Sequence, residues 1–131
     1  MKIRIQIVLL TGFLLASLAC NKTNNTPEEA NVQVIGHSFV VNFGEYVFKL
    51  DFKSETEMTY TSLKGSTTGT SETVQITRKE IRPNVFMVYW QEQDKTTVTH
   101  VEDFSKGVVY TNITHPDNTF TNLGGTLVPV Q

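Results

Sequence analysis

Among the side chains able to do chemistry, His100 and Glu102 stand two residues apart in an otherwise apolar and threonine-rich stretch, with Tyr89, Trp90 and Gln91 shortly before them. In an extended strand a spacing of two places side chains on one face. A histidine beside a carboxylate and a phenol can move protons near neutral pH. A two-residue turn at Asp94-Lys95 pairs Glu92 with Thr97, Trp90 with Thr99 and Tyr89 with His100. One face of the hairpin then carries Met87, Tyr89, Gln91, Val98, His100 and Glu102, and the other carries Val88, Trp90, Glu92, Val101 and Asp103. A slip of one residue would exchange the partners that meet across the hairpin. The candidate catalytic residues are His100, Glu102 and Tyr89. The candidate ligand-binding residues are Tyr89, Trp90, Gln91, His100 and Glu102. The same groups also admit a structural reading, with His100, Tyr89 and Glu102 as a hydrogen-bonded cluster in a sheet and Trp90 as core; Glu92 and Asp103 are either inward polar groups that orient a ligand or rim charges, the rim being the expectation for Glu92 so close to a turn.

Other chemistries find no support in the residue pattern. His100 and His115 match no metal-ligand spacing, His115-Pro116 reads as a turn, and His37 stands alone at a strand start, so no metal and no cofactor is expected. The single cysteine, Cys20, excludes a disulfide framework and a thiolate zinc cluster. The chain has no Gly-x-Ser-x-Gly elbow, phosphate-binding loop or Cys-x-x-Cys pair. With 11 Lys+Arg against 13 Asp+Glu the formal charge is −2, which argues against nucleic acid as a partner.

Cys20 belongs to an address. Lys2 and Arg4 precede an apolar run over 5–18, and Ala16-Ser17-Leu18-Ala19 leads into the cysteine. This is the basic, apolar, small-residue order of a secretory signal. The run is too short for a membrane span, which needs roughly 20 residues. The arrangement resembles the lipobox of bacterial lipoproteins, although Ser17 stands where leucine is usual. It implies cleavage before Cys20, acylation of its thiol (a palmitate-type anchor), and an exported, membrane-anchored protein of the bacterial cell envelope. Asn21 rather than aspartate after the cysteine favours the outer membrane. Loss of Lys2 and Arg4 leaves 9 basic against 13 acidic side chains, so the lipid rather than a basic surface would hold the domain at a membrane.

The elements that must position the candidate residues read as strands. All three alanines fall within the first 30 residues, and 18 of the 19 threonines follow position 20, a bias toward strand beyond the leader. The expected organisation is a signal peptide over 1–19, a polar tether over 20–30, and one domain over 31–131. A helical turn near 28–32 is weakly signalled. Alternating runs over 37–43, 46–52, 57–63, 72–81, 85–92, 96–104, 108–114 and 119–128 are separated by turn residues such as Gly44-Glu45, Gln93-Asp94-Lys95 and Pro116-Asp117-Asn118. Such a meander predicts an all-β fold, a single antiparallel up-and-down barrel of about eight strands, with a two-sheet sandwich as the alternative.

The segments Val85-Phe86-Met87-Val88-Tyr89-Trp90-Gln91-Glu92, Val98-Thr99-His100-Val101-Glu102-Asp103-Phe104, Gly107-Val108-Val109-Tyr110-Thr111 and Gly125-Thr126-Leu127 resemble the MoaF-like proteins, which are similar in fold to phenolic acid decarboxylases. The resemblance implies a calycin-type, lipocalin-like barrel with a central cavity. For the decarboxylase relatives it further implies a cavity with tyrosines, an arginine and a glutamate. Beyond the leader this chain has only Arg78 and Arg82 to fill the arginine role. Three functions are therefore expected in order: binding of a small, partly apolar molecule of unspecified identity inside the barrel; an enzyme of decarboxylase or isomerase type using His100 and Glu102; and a non-catalytic interaction module of the envelope.

Overall fold

The structure is a computed structural model that describes residues 30–131. The expected signal peptide, Cys20 and most of the expected tether lie outside the described residues. Ala30 to Val32, the described part of the weakly signalled turn, is irregular rather than helical.

Eight strands follow one another: β1 (Ser38–Asn42), β2 (Val47–Phe52), β3 (Glu57–Lys64), β4 (Ser71–Arg82), β5 (Val85–Gln91), β6 (Thr97–Asp103), β7 (Val108–Thr114) and β8 (Phe120–Pro129). Each pairs antiparallel with the next, and β8 pairs with β1 to close a barrel. The up-and-down barrel is the predicted one, and closure excludes the sandwich. Alternation builds the wall: on β5 Val88 and Trp90 are buried while Tyr89 and Gln91 are exposed, and on β6 Val98, His100 and Glu102 are buried. Closure brings β8 hard against the end of β1. A Cβ on Gly125 would strike the Asn42 carbonyl oxygen and lie 2.8 Å from the Phe43 ring, so only glycine lets the two strands meet there.

The two ends of the barrel differ. At one end the β2–β3, β4–β5 and β6–β7 turns surround an aromatic plug in which Phe104 lies 4.9 Å from Phe39, 6.0 Å from Phe86 and 6.3 Å from Phe52 between ring centroids. Val34 is buried against this core. The segment carrying it is clamped by Asn84, whose side chain accepts from Val32 N at 2.7 Å and donates to the Ala30 carbonyl at 3.0 Å. Arg78 places its guanidinium 3.5 Å from the Phe86 ring centroid and pairs with Glu55 at 3.0 Å, covering the same end. The opposite end, ringed by the β1–β2, β3–β4, β5–β6 and β7–β8 turns, is open.

Candidate functional site

The open end leads into a cavity of about 390 Å³. Its walls are apolar and aromatic, with Val41, Phe43, Phe48, Leu50, Val98, Ile113 and Leu123 among them. Trp90, Tyr60, His100, Glu92, Asp94 and His115 supply its chemistry. A mostly apolar concavity with a few converging polar groups, near the lower end of the usual size range of roughly 300–1,000 Å³, is the ordinary form of a small-molecule site. A second hollow, of about 410 Å³, lies at the plugged end between the Asn31–Ile35 segment and Glu55, Arg78, Glu80, Asn84 and Phe86. Its guanidinium, that of Arg78, is already engaged by Glu55 and Phe86.

The hairpin that carries most of the candidate residues turns differently from the expected two-residue turn. Glu92 N donates to Thr96 O at 2.8 Å, Lys95 N donates to Glu92 O at 3.0 Å, and Lys95 adopts φ +79°. The turn is therefore a three-residue loop, Gln93-Asp94-Lys95, with its last residue left-handed and Thr96 N bonded to Asp94 Oδ1 at 2.8 Å. The extra residue shifts the register by one: Val88 pairs with His100, Tyr89 with Thr99 and Trp90 with Val98. The faces are re-sorted accordingly. Tyr89 and Gln91 point outward, away from His100 and Glu102, whereas Trp90 and Glu92 join them on the inner face. The expected Tyr89–His100 contact is replaced by Trp90 against His100, with ring centroids 4.9 Å apart at 74°.

His100 and Glu102 do meet. His100 Nδ1 lies 3.0 Å from Glu102 Oε1, and both side chains are buried. The contact to Glu102 engages Nδ1 and leaves the other ring nitrogen of His100, a residue that lines the cavity, without a hydrogen bond to the described residues. Glu102 itself is not part of the lining. Its Oε2 has no hydrogen-bond partner among the described residues, and neither has Oγ1 of Thr111, which stands opposite His100 on β7. Trp90 is 7% exposed and yet lines the cavity, so it serves both as core and as wall. Its Nε1 is buried and makes no hydrogen bond of normal geometry, although the indole N–H is close enough to the Glu92 carboxyl to favour its charged form.

Near the mouth Tyr60 donates to Glu72 Oε2 at 3.1 Å, and Glu72 Oε1 accepts from Gln93 N at 2.8 Å. Burial pushes the Glu92 carboxyl above the usual carboxylate range, against the opposing pull of the Trp90 indole N–H and the Tyr60 hydroxyl, while Asp94 and Glu72 push it further up. Burial, with Glu92 and Glu72 nearby, likewise drives the Tyr60 phenol well above its ordinary value. Sequence reasoning missed Tyr60, Phe43 and Phe48, because their strands have only local periodicity and nothing in it says which ends face the open mouth.

Of the remaining candidates, Asp103 holds Arg82 at 2.9 Å and Lys106 N at 2.9 Å toward the plugged end, remote from the mouth. His37 is exposed. His115 lines the mouth beside Thr121, with Nε2 and Oγ1 3.5 Å apart. Among the described residues no group of three or more His, Cys, Asp or Glu is placed to hold a metal.

Comparison with known proteins places this geometry. A solved structure described as a "putative beta-lactamase" from Burkholderia vietnamiensis superposes with a TM-score of 0.72 at 25% sequence identity, covering 78% of this chain and 100% of that one. No curated protein matches the chain. Residues 35–128, essentially the whole barrel with its mouth cavity, match the MoaF-like family, and the chain belongs to that family.

Proposed function

We propose that the protein is an exported lipoprotein of the bacterial envelope, held by acyl chains on Cys20, whose barrel binds a small, partly apolar molecule in the mouth cavity. The observation that carries the binding reading is the cavity itself: about 390 Å³ open to one end, apolar along its walls, with Trp90, Glu92 and His100 converging on it. The anchor reading rests on the basic, apolar and small-residue order that ends at Cys20. The two fit together, because the chain enters the barrel at the plugged end, where Asn84 holds Ala30 and Val32. A tether joined there leaves the mouth free.

Trp90 is the only tryptophan, which makes it a built-in reporter. Titration with neutral N-phenyl-1-naphthylamine is expected to quench Trp90 emission saturably at one site, and Thr121→Phe, which narrows the mouth, to weaken this. An unsaturable response, or one indifferent to Thr121→Phe, would refute the binding reading. For the anchor, the mass of the processed chain should show an acylated Cys20 at its N-terminus. An unlipidated N-terminus or an intact Met1 would refute it.

The second reading, an enzyme of decarboxylase or isomerase type, is favoured by the 3.0 Å contact between His100 and Glu102. The pair could take a proton from a bound molecule at the imidazole nitrogen not bonded to Glu102. Tyr89, facing outward, has no part in it. A phenolic acid needs a cation for its carboxylate, and neither arginine lines the cavity. Likeness to the Burkholderia structure does not favour lactam hydrolysis for this chain, whose sequence has no Ser-x-x-Lys motif. If His100→Gln turns over an identified substrate unchanged, the catalytic reading is wrong.

A further inference from the structure

The carboxylate side chains Glu92 and Asp94 are the only Asp, Glu, Lys or Arg residues that line the mouth cavity. Glu72 stands behind the Tyr60 hydroxyl. The basic groups near this end do not line the cavity: Lys64 Nζ donates to the Gly44 carbonyl on the rim at 2.8 Å and Lys95 is exposed on the β5–β6 turn, while Arg82 and Arg78 lie toward the plugged end, paired with Asp103 and Glu55. The titratable groups facing Glu92 are Tyr60, Glu72 and Asp94, with His100 and His115 as the only lining groups able to become cationic. Deeper in, two side chains more than nine-tenths buried line the cavity: Trp90, and His100, which is bonded only through Nδ1. Aromatic rings line the same cavity in two groups. Phe48 and Tyr60 have centroids 6.3 Å apart, Phe43 lies 6.1 Å from His100, and Trp90 4.9 Å from the same ring.

We propose that the cavity takes a cationic ligand: a small molecule with a protonated or quaternary amine on an apolar body about the size of one aromatic ring. This rests on the mouth cavity being the binding site. The ammonium sits beside the Glu92 carboxylate, among the Tyr60 and Trp90 side chains that line the same cavity, where opposite charge acts in a partly desolvated place. The apolar body lies against Val41, Leu50 and Val98. An amine N–H, if present, finds an acceptor in the imidazole nitrogen of His100 that Glu102 leaves free. A carboxylate in the same place meets Glu92 and Asp94 with no fixed cation to offset its desolvation.

Three probes with one body and different heads separate this from the binding reading itself: 4-phenylbutylamine, 4-phenylbutan-1-ol and 4-phenylbutyrate, titrated at pH 7.5 against the full chain as purified and followed by Trp90 emission and calorimetry. The amine is expected to bind about tenfold more tightly than the alcohol, and the carboxylate more weakly than either. Glu92→Gln should remove the amine's advantage and leave the alcohol unchanged. If Glu92→Gln lowers the melting temperature, Asp94→Asn on its exposed turn should reduce the same advantage in part. If the alcohol binds and the amine shows no advantage, or both substitutions leave the preference intact, the charge inference falls and the binding reading stands. If none of the three binds, both fall.

Discussion

At the residue scale the decisive pair is His100 and Glu102, a buried couple whose partners were adjacent on one strand face before any folding. Removing one member leaves the other buried without a counterpart. His100→Leu is expected to cost about 3 kcal/mol in urea unfolding, because Glu102 then has no donor at all. Glu102→Gln keeps an acceptor for Nδ1 and is expected to cost about 1 kcal/mol or less. Equal losses would mean that the contact contributes little beyond packing. Glu92 gives a pH signature of the opposite kind. Its carboxyl is raised by burial, so its contribution to stability is fully present below the unfolded value near 4.5 and is lost as pH rises through the folded value. Glu92→Gln should therefore gain melting temperature relative to wild type between acid and neutral pH. A constant difference across that range would mean that Glu92 is not the group responsible.

At the element scale, the β5–β6 hairpin decides which chemistry faces inward. Its three-residue loop ends at Lys95 with φ +79°, a conformation that costs a residue with a Cβ roughly 1–2 kcal/mol. Lys95→Gly is expected to raise stability by about 1 kcal/mol in thermal unfolding without altering N-phenyl-1-naphthylamine binding, since Lys95 does not line the cavity. A destabilised Lys95→Gly would mean that the lysine side chain holds the loop by other means. Strand positions in the sequence were legible to within a residue or two, because alternation and turn residues act locally. The register was not, since Gln93-Asp94-Lys95 is compatible with a two- or a three-residue turn and the difference lies in one φ angle. That single residue moved Tyr89 and Gln91 outside and brought Trp90 to His100.

At the scale of the whole molecule, closure and the difference between the two ends matter most. Gly125→Ala forces a Cβ into the Asn42 backbone at the β1–β8 seam, and a loss of about 1–3 kcal/mol is expected in chemical unfolding. An unchanged midpoint would mean that the seam relaxes freely. Asn84→Gly keeps the left-handed backbone at φ +62° while deleting both side-chain hydrogen bonds to the entering segment. It is expected to cost about 1–2 kcal/mol and to leave N-phenyl-1-naphthylamine binding at the far end intact. Weakened binding would show that the two ends are coupled.

The sequence by itself determined the strand order, the all-β class, the MoaF-like kinship and the pairing of His100 with Glu102, because each depends on neighbours along the chain. Only the tertiary structure decided that the aromatic plug closes one end, that the mouth cavity is acidic and free of lysine and arginine, and that Tyr60, Trp90 and Glu92 share it. Those facts depend on contacts among strands far apart in sequence and on one turn residue's backbone angle, and periodicity within a strand carries no record of either.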